Sequence, residues 1–355
     1  PAVRRVLDRP RDVHASVDAR FEVRVAAILR HALETSGQQK GAAVVLDPAN
    51  GDLLAAVSLP LAPGQGPANQ ANAASNPEAN PYLDRARFGL YPPGSTFKVV
   101  TAMAALRKDP SLIHKTYQCI RLPDGRVGNY IKGSKRPIRD DVQDQSPHGT
   151  LDLERGIVVS CNAYFAQLGA YDVGADALFD AAGILGIATG APNTAAQLKK
   201  SLPQSAYGQG QVVASPFQLA RVAATVAAGG AMPQGRWITD ETNLRTDAPK
   251  TALSADAAQT LARFLREVVT SGTGRRAAGA TVPIAGKTGT AELADAPSHA
   301  WFIGFAPYGG TAPGETQRKI AFSVLVENGV YGGTAAAPAA AEIVNAAVKL
   351  GLIHP

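Results

Sequence analysis

The chain has 355 residues, of which 45% are hydrophobic, 18% charged and 6% aromatic, with a formal net charge of +6. That length holds one large domain or two modest ones with ample core, and the apolar fraction excludes a disordered chain. The basic residues are scattered, the densest run being Lys132, Lys135, Arg136 and Arg139; with so few aromatics this charge reads as a solvated face or weak attraction to an anionic surface, not as a nucleic-acid site.

No run of about 18 apolar residues is present to cross a membrane, and no charged segment leads into an apolar one as in a signal peptide. The chain begins with Pro1 instead of methionine, which reads as a processed or trimmed product from which a leader or anchor was removed. Residues 1–16 are charged and proline-containing, a linker or arm. Apolar residues then recur at Phe21, Val25, Ile28, Leu29 and Leu33 with helical spacing. Residues 41–46 and 53–57 flank the turn signal Asp47-Pro48-Ala49-Asn50-Gly51-Asp52, which predicts a β-hairpin. Residues 59–82, rich in Pro, Asn, Ala and Gly, read as a long surface connection.

Two prolines and a glycine in Tyr91-Pro92-Pro93-Gly94-Ser95-Thr96-Phe97-Lys98 stop whatever precedes and predict a helix starting at or beside Ser95. Over residues 97–106 that helix has almost no polar face, so it should be buried on all sides. Yet it carries Lys98, on the same face as Ser95. A buried ammonium is costly, so its pKa should fall toward neutrality unless an anion pairs with it. A neutral amine beside a serine hydroxyl is a base beside a nucleophile.

Residues 107–147 read as irregular. Helical segments are expected over 151–168, broken at Ser160-Cys161-Asn162, and over 172–186, 215–228 and 255–269. Strands are expected over 282–292, 300–306 and 319–326, with an alanine-rich helix over 335–350 closing the chain. Strands at both ends around a helical middle predict one sheet made by the two termini. Cys119 and Cys161 leave the redox state open: paired, they would close a loop of about 40 residues, stabilising by roughly 4 kcal/mol. His148 and His299 lack ligand spacing, and no metal or cofactor site is assigned. Gly286-Lys287-Thr288 resembles the end of a P-loop, but Thr281 stands where glycine is required and Pro283 lies inside the loop.

Ser95-x-x-Lys98, Ser160-x-Asn162 and Lys287-Thr288-Gly289 stand in order, the trio of penicillin-recognising serine enzymes. With them stand Val44-Val45-Leu46-Asp47-Pro48, Gly89-Leu90-Tyr91, His148-Gly149, Asp152-Leu153, Tyr207-Gly208-Gln209-Gly210, Ser215-Pro216-Phe217-Gln218-Leu219-Ala220, Thr290-Ala291-Glu292 and His299-Ala300-Trp301-Phe302. On these residues the chain resembles the transpeptidase domain of class B penicillin-binding proteins, serine acyltransferases that cross-link peptidoglycan. Two features depart from that pattern: the family's N-terminal non-catalytic region and membrane anchor are not in the sequence, and Cys161 fills the middle of the second motif.

The resemblance implies an α+β fold: a mostly antiparallel sheet flanked by N- and C-terminal helices, with an inserted all-helical subdomain. Residues 17–350 would form the transpeptidase domain, its α/β part made of 17–58 and 282–350 and its helical subdomain of 59–281. By resemblance Ser95 is the nucleophile, Lys98 its base, and Ser160 passes the proton on to the leaving nitrogen. Asn162 holds the substrate amide; Lys287, Thr288, Gly289 and Thr290 form the wall that binds the terminal carboxylate. The backbone N–H groups of Ser95 and Thr290 make the oxyanion hole. The implied partners are peptidoglycan stem peptides, β-lactams and a membrane glycosyltransferase reached through an N-terminal region, and the implied location is outside the cytoplasmic membrane.

Three other functions share the trio. A class A β-lactamase needs a glutamate-held water, but residues 155–240 contain no glutamate, and a class D type would prefer valine at Asn162. A D,D-carboxypeptidase differs only in using water as acceptor, and a penicillin-sensing domain would acylate without turnover.

Overall fold

The computed structural model describes residues 12–61, 80–239, 249–309 and 317–355. Most of the predicted connection over 59–82, and residues 1–11 of the predicted arm, lie outside these. The described end of that arm is not free: the Ser16 N–H bonds the Trp237 carbonyl at 2.9 Å and its hydroxyl bonds the Leu53 carbonyl at 2.9 Å.

Helix α1 (Ala19–Thr35) starts where Asp18 caps the N–H groups of Arg20 and Phe21, and it buries Phe21, Val25, Leu29 and Leu33. The hairpin follows as β1 (Gly41–Leu46) and β2 (Leu53–Leu59). A single turn of 3₁₀ helix, Gly94–Phe97, leads into α2 (Lys98–Lys108). Next come four short strands, β3 (Tyr117–Arg121), β4 (Val127–Asn129), β5 (Ile138–Arg139) and β6 (Gly149–Leu151). Helices α3 (Leu153–Val158), α4 (Asn162–Leu168), α5 (Gly174–Ile184), α6 (Ala195–Lys199), α7 (Leu202–Ser205) and α8 (Pro216–Ala227) follow. The paired strands β7 (Ala231–Met232) and β8 (Lys250–Thr251) and helix α9 (Ala255–Thr270) come after α8. The chain ends with β9 (Ala285–Ala291), β10 (His299–Ala306), β11 (Ile320–Val326) and α10 (Gly332–Lys349).

The main sheet has five strands in the order β2-β1-β11-β10-β9, every neighbour antiparallel. Period-two alternation divides its side chains between two cores. Ala42, Val44, Leu46, Trp301, Ile303, Phe305 and Leu325 face the inserted region, packing with α2, α8 and α9. Ala43, Val45, Phe302, Phe322 and Val324 face the other way, under α1 and α10. The result is a sheet between two layers of helix, with β9 at its edge.

The insertion is not all-helical, which corrects the expectation. Strands β5-β4-β3-β6 form a second, four-stranded sheet, three of them within the stretch 107–147 that reads as irregular and β6 just after it. These strands are two to five residues long, and β3 and β6 are mostly exposed or half-buried; they are too short to show a period in sequence. The helix expected at Ser95 is also modified: the chain enters by a 3₁₀ turn, and regular α-helix begins only at Lys98.

Candidate active site

Strand β9 and the 3₁₀ turn meet where side chains are missing. Gly94 has φ +53°, and a Cβ there would stand 2.4 Å from the Thr290 carbonyl oxygen. At Gly289 a Cβ would stand 2.7 Å from Thr96 Cγ2. The two glycines therefore let Ser95 lie directly against the sheet edge. The approach is fixed from behind by the Gly94 N–H to the Gly208 carbonyl (3.0 Å) and by Trp301 Nε1 donating to the Pro92 carbonyl (3.1 Å).

One turn on from Ser95, Lys98 is fully buried, with Nζ 2.8 Å from Ser95 Oγ. It also reaches the Ser160 carbonyl, Ser160 Oγ at 3.2 Å and Asn162 Oδ1 at 2.6 Å. Lys287, likewise fully buried, places Nζ 2.9 Å from Ser160 Oγ. The Ser160 hydroxyl thus sits between two amines. Neither lysine has an ion-pair partner among the described residues. Burial lowers Lys98 to about 8 against the pull of Asp140 in the other direction. Burial, and then the neighbouring Lys98 charge, hold Lys287 well below the ordinary ammonium range. A neutral Lys98 has two N–H groups for the Ser160 carbonyl and Asn162 Oδ1, and a lone pair left to receive the Ser95 proton.

The second motif is placed by a helix ending. Helix α3 closes in a Schellman motif, the Cys161 N–H bonding the Gly156 carbonyl (3.0 Å) and the Ser160 N–H the Ile157 carbonyl (3.2 Å). That motif needs a left-handed residue and glycine normally supplies it; here it is Ser160, with φ +63°. The strain turns its hydroxyl toward the lysines, and Cys161 then caps α4 through the Tyr164 N–H. Ser160→Gly should accordingly raise stability by about 1 kcal/mol while slowing β-lactam acylation; thermal unfolding and acylation kinetics on one preparation check both signs.

Along β9, Thr288 and Thr290 line the cleft directly, while Lys287 and Gly289 point toward the insertion on the face of Ile303 and Trp301, where the Lys287 amine meets Ser160 and Gly289 meets Thr96. Gly289, expected in the binding wall, is placed as a spacer against Thr96. The Thr288 hydroxyl bonds Thr273 at 2.6 Å. The Thr290 carbonyl faces Gly94, away from β10; within a strand the N–H of a residue points the same way as its carbonyl, so the Thr290 N–H faces the reacting hydroxyl's side of the edge.

The cleft so enclosed has a volume of about 510 Å³ and includes Tyr207, Arg275, Arg276, Glu292 and Tyr331. Sequence reasoning gave none of these a catalytic or binding role, since they come from four separate segments, with only Arg275 and Arg276 adjacent; Tyr207 and Glu292 stood in quoted motifs. A larger hollow, about 810 Å³ beside Trp237, has Arg236 as its sole ionisable lining residue among the described residues, and that side chain is engaged with Asp52. Among the described residues it offers no nucleophile paired with a base.

His148 is not isolated, contrary to the sequence reading: it lies against Cys119 and Asp140, and Asp140 in turn sits beside Cys161. Both cysteines are buried free thiols.

Residues 41–345 match the penicillin-binding protein transpeptidase domain family. The chain is 34% identical to peptidoglycan D,D-transpeptidase PbpA of Mycobacterium tuberculosis, over 88% of this chain and 68% of that protein. It is 27% identical to peptidoglycan D,D-transpeptidase MrdA of Acinetobacter baumannii, over 84% of this chain and 49% of that one. Among solved structures, the ceftriaxone acyl-enzyme of penicillin-binding protein A from M. tuberculosis superposes with a TM-score of 0.78 at 29% identity, covering 98% of this chain and 84% of that chain. With Ser95, Lys98, Ser160, Asn162 and Lys287 gathered in one cleft and the family matched over most of its length, this chain belongs to the penicillin-binding protein transpeptidase family.

Proposed function

We propose that the domain is a peptidoglycan D,D-transpeptidase that works through a Ser95 acyl-enzyme and is itself acylated by β-lactams. The observation that carries this is the Lys98 amine, buried without an ion-pair partner and 2.8 Å from Ser95 Oγ. Ser95 attacks the carbonyl of a D-alanyl-D-alanine terminus, and Lys98 takes its proton. The developing oxyanion is met by the N–H groups of Ser95, at a helix start where backbone donors lack intrahelical partners, and of Thr290. Ser160, hydrogen-bonded to both lysines, delivers a proton to the leaving nitrogen and is resupplied by them. Asn162 orients the substrate amide, and Lys287, Thr288 and Thr290 hold the carboxylate.

What surrounds Ser95 bears on how the acyl-enzyme is released. No carboxylate among the described residues is hydrogen-bonded to Ser95 or Lys98, so the carboxylate-held water of a class A β-lactamase has no counterpart beside the ester. This favours the transpeptidase over the β-lactamase reading. The substrate places the domain outside the cytoplasmic membrane, and a membrane glycosyltransferase that lays down the glycan strand is the partner such a reaction requires. The catalytic unit spans residues 17–350, its α/β part and its insertion meeting at the cleft.

The test is incubation with a peptide ending in D-alanyl-D-alanine together with an amine-bearing stem peptide. Release of D-alanine with a cross-linked product is expected. Release with only the trimmed peptide would make it a carboxypeptidase, and no release at all, beside a stable β-lactam adduct, would make it a sensor.

A further inference from the structure

The loop between β4 and β5 carries charge that nothing around it neutralises. Residues 125–139 hold Arg126, Lys132, Lys135, Arg136 and Arg139 and no acidic residue. Arg139 pairs with Asp124 at 2.8 Å, and Arg126 donates to the Asp140 carbonyl at 3.1 Å. Lys132, Lys135 and Arg136 are exposed, and none of the three has an ion-pair partner among the described residues.

The backbone that presents them is held in place. The Ser134 N–H bonds the Ile131 carbonyl at 2.8 Å and Gly133 has φ +86°, a type II turn with glycine at its third position. The Ser134 hydroxyl donates to the Arg136 carbonyl at 2.9 Å and accepts the Arg136 N–H at 3.2 Å, while the Lys132 N–H bonds the Tyr171 hydroxyl at 2.7 Å. At either end Ile131 and Ile138 are buried against Ala166, with Tyr207 packed on the same cluster. Three like charges within five residues repel one another. A fixed turn stops them spreading apart, so the repulsion stays until an anion relieves it.

This loop stands at the rim of the cleft. Tyr207 lines the cleft together with Ser95, and Asn162 Nδ2 donates to the Arg139 carbonyl at 3.1 Å. The residue that orients the substrate amide is thereby tied to the strand that closes the loop. A stem peptide with its terminal carboxylate at β9 and its amide at Asn162 leaves the cleft on the β5 side. Its preceding residues, the ones that bear branch carboxylates, then run toward the loop. Inside the cleft the signs are mixed, with Asp141, Asp144 and Glu292 against Arg275 and Arg276; the loop is basic throughout.

We infer that Lys132, Lys135 and Arg136 form a rim subsite for the branch carboxylates of the stem peptide, so that the domain selects peptides carrying them free over peptides carrying them as carboxamides. The inference rests on the acyl-enzyme reading, which decides the end of the peptide that lies at Ser95. Being remote from the reacting atoms, the contact holds ground state and transition state alike and acts on affinity, not on the chemical step.

The test is calorimetric binding to the Ser95→Ala chain, which cannot turn the ligand over. Two stem peptides ending in D-alanyl-D-alanine are compared, differing only in free carboxylates or carboxamides on the preceding residues. The carboxylate peptide should bind about tenfold tighter at low salt, and the difference should shrink as salt screens the exposed charges. With Lys132→Gln, Lys135→Gln and Arg136→Gln combined, the two peptides should bind alike. Lys135→Glu alone, changing an exposed side chain, should weaken the carboxylate peptide and spare the other, which keeps the test decisive if the triple variant does not fold. Equal affinity for the two peptides, or binding of neither, would overturn the subsite. A preference that survives the triple variant would overturn its place on the loop in favour of Arg275 and Arg276. Failure of the acyl-enzyme reading shows separately, as a wild-type chain that gains no benzylpenicillin mass.

Discussion

Ser95→Ala yields no covalent adduct with benzylpenicillin, while the wild-type chain gains the mass of the whole drug and keeps it. Removing a serine nucleophile that acts as a unit with its base costs on the order of 10⁶ in rate, which is all or nothing on the timescale of intact-protein mass spectrometry. The substitution deletes one oxygen from a partly buried position and should leave the unfolding transition nearly unchanged. The loss is therefore chemical and not a loss of fold. An adduct that survives in Ser95→Ala would move the nucleophile elsewhere, and Ser160, the other hydroxyl beside Lys98, would be the first place to look. Hydrolysed drug without a lasting wild-type adduct would establish a β-lactamase.

The second large effect belongs to Lys98. In the wild-type chain acylation should rise with pH through an apparent pKa of about 8, because only the neutral amine can take the Ser95 proton and burial brings Lys98 to about 8. Below that value the amine is an ammonium and the rate falls tenfold per pH unit; above it the rate levels. Lys98→Met keeps a long unbranched side chain in the core but has no base, so acylation should drop about 10²- to 10⁴-fold. The limb near 8 should disappear with it. A rate that falls but keeps the limb would assign that titration to Lys287, which shares the Ser160 hydroxyl. Stopped-flow acylation across the pH range, on both proteins, separates the two lysines.

What was legible in the sequence was what is local. Helix α1, the β1–β2 hairpin, the fully apolar run of α2 and the Ser215 cap of α8 each carry their signal within a dozen or so residues, and each forms. Ser95 and Lys98 share a face because they are one turn apart, which needs no tertiary knowledge. Their meeting with Ser160 and Lys287 depends on the family pattern, since nothing in the spacing of residues 98, 160 and 287 brings them together. The β3–β6 sheet stayed hidden because strands as short as Ile138–Arg139 have no alternation to display. Cys119, Asp140, His148 and Cys161 stayed hidden for a related reason. They come from a strand, the segment after another strand, a loop and a helix cap, and a cluster scattered that widely leaves no regular interval.

The pairing of β1 with β11 joins Gly41 to Val326, so the sheet closes only when nearly the whole chain is available. Strand β9, bearing Lys287, is held by β10, β10 by β11, and β11 by the hairpin made first. During synthesis the amino-terminal hairpin must wait for its partner, and closure over so long a loop is entropically slow. Ser95 and Lys98 can be in place on their helix well before the edge strand arrives to complete the cleft. A growing chain should therefore be chemically silent until its last strand docks, and the capacity to trap penicillin becomes a timer for the completion of folding.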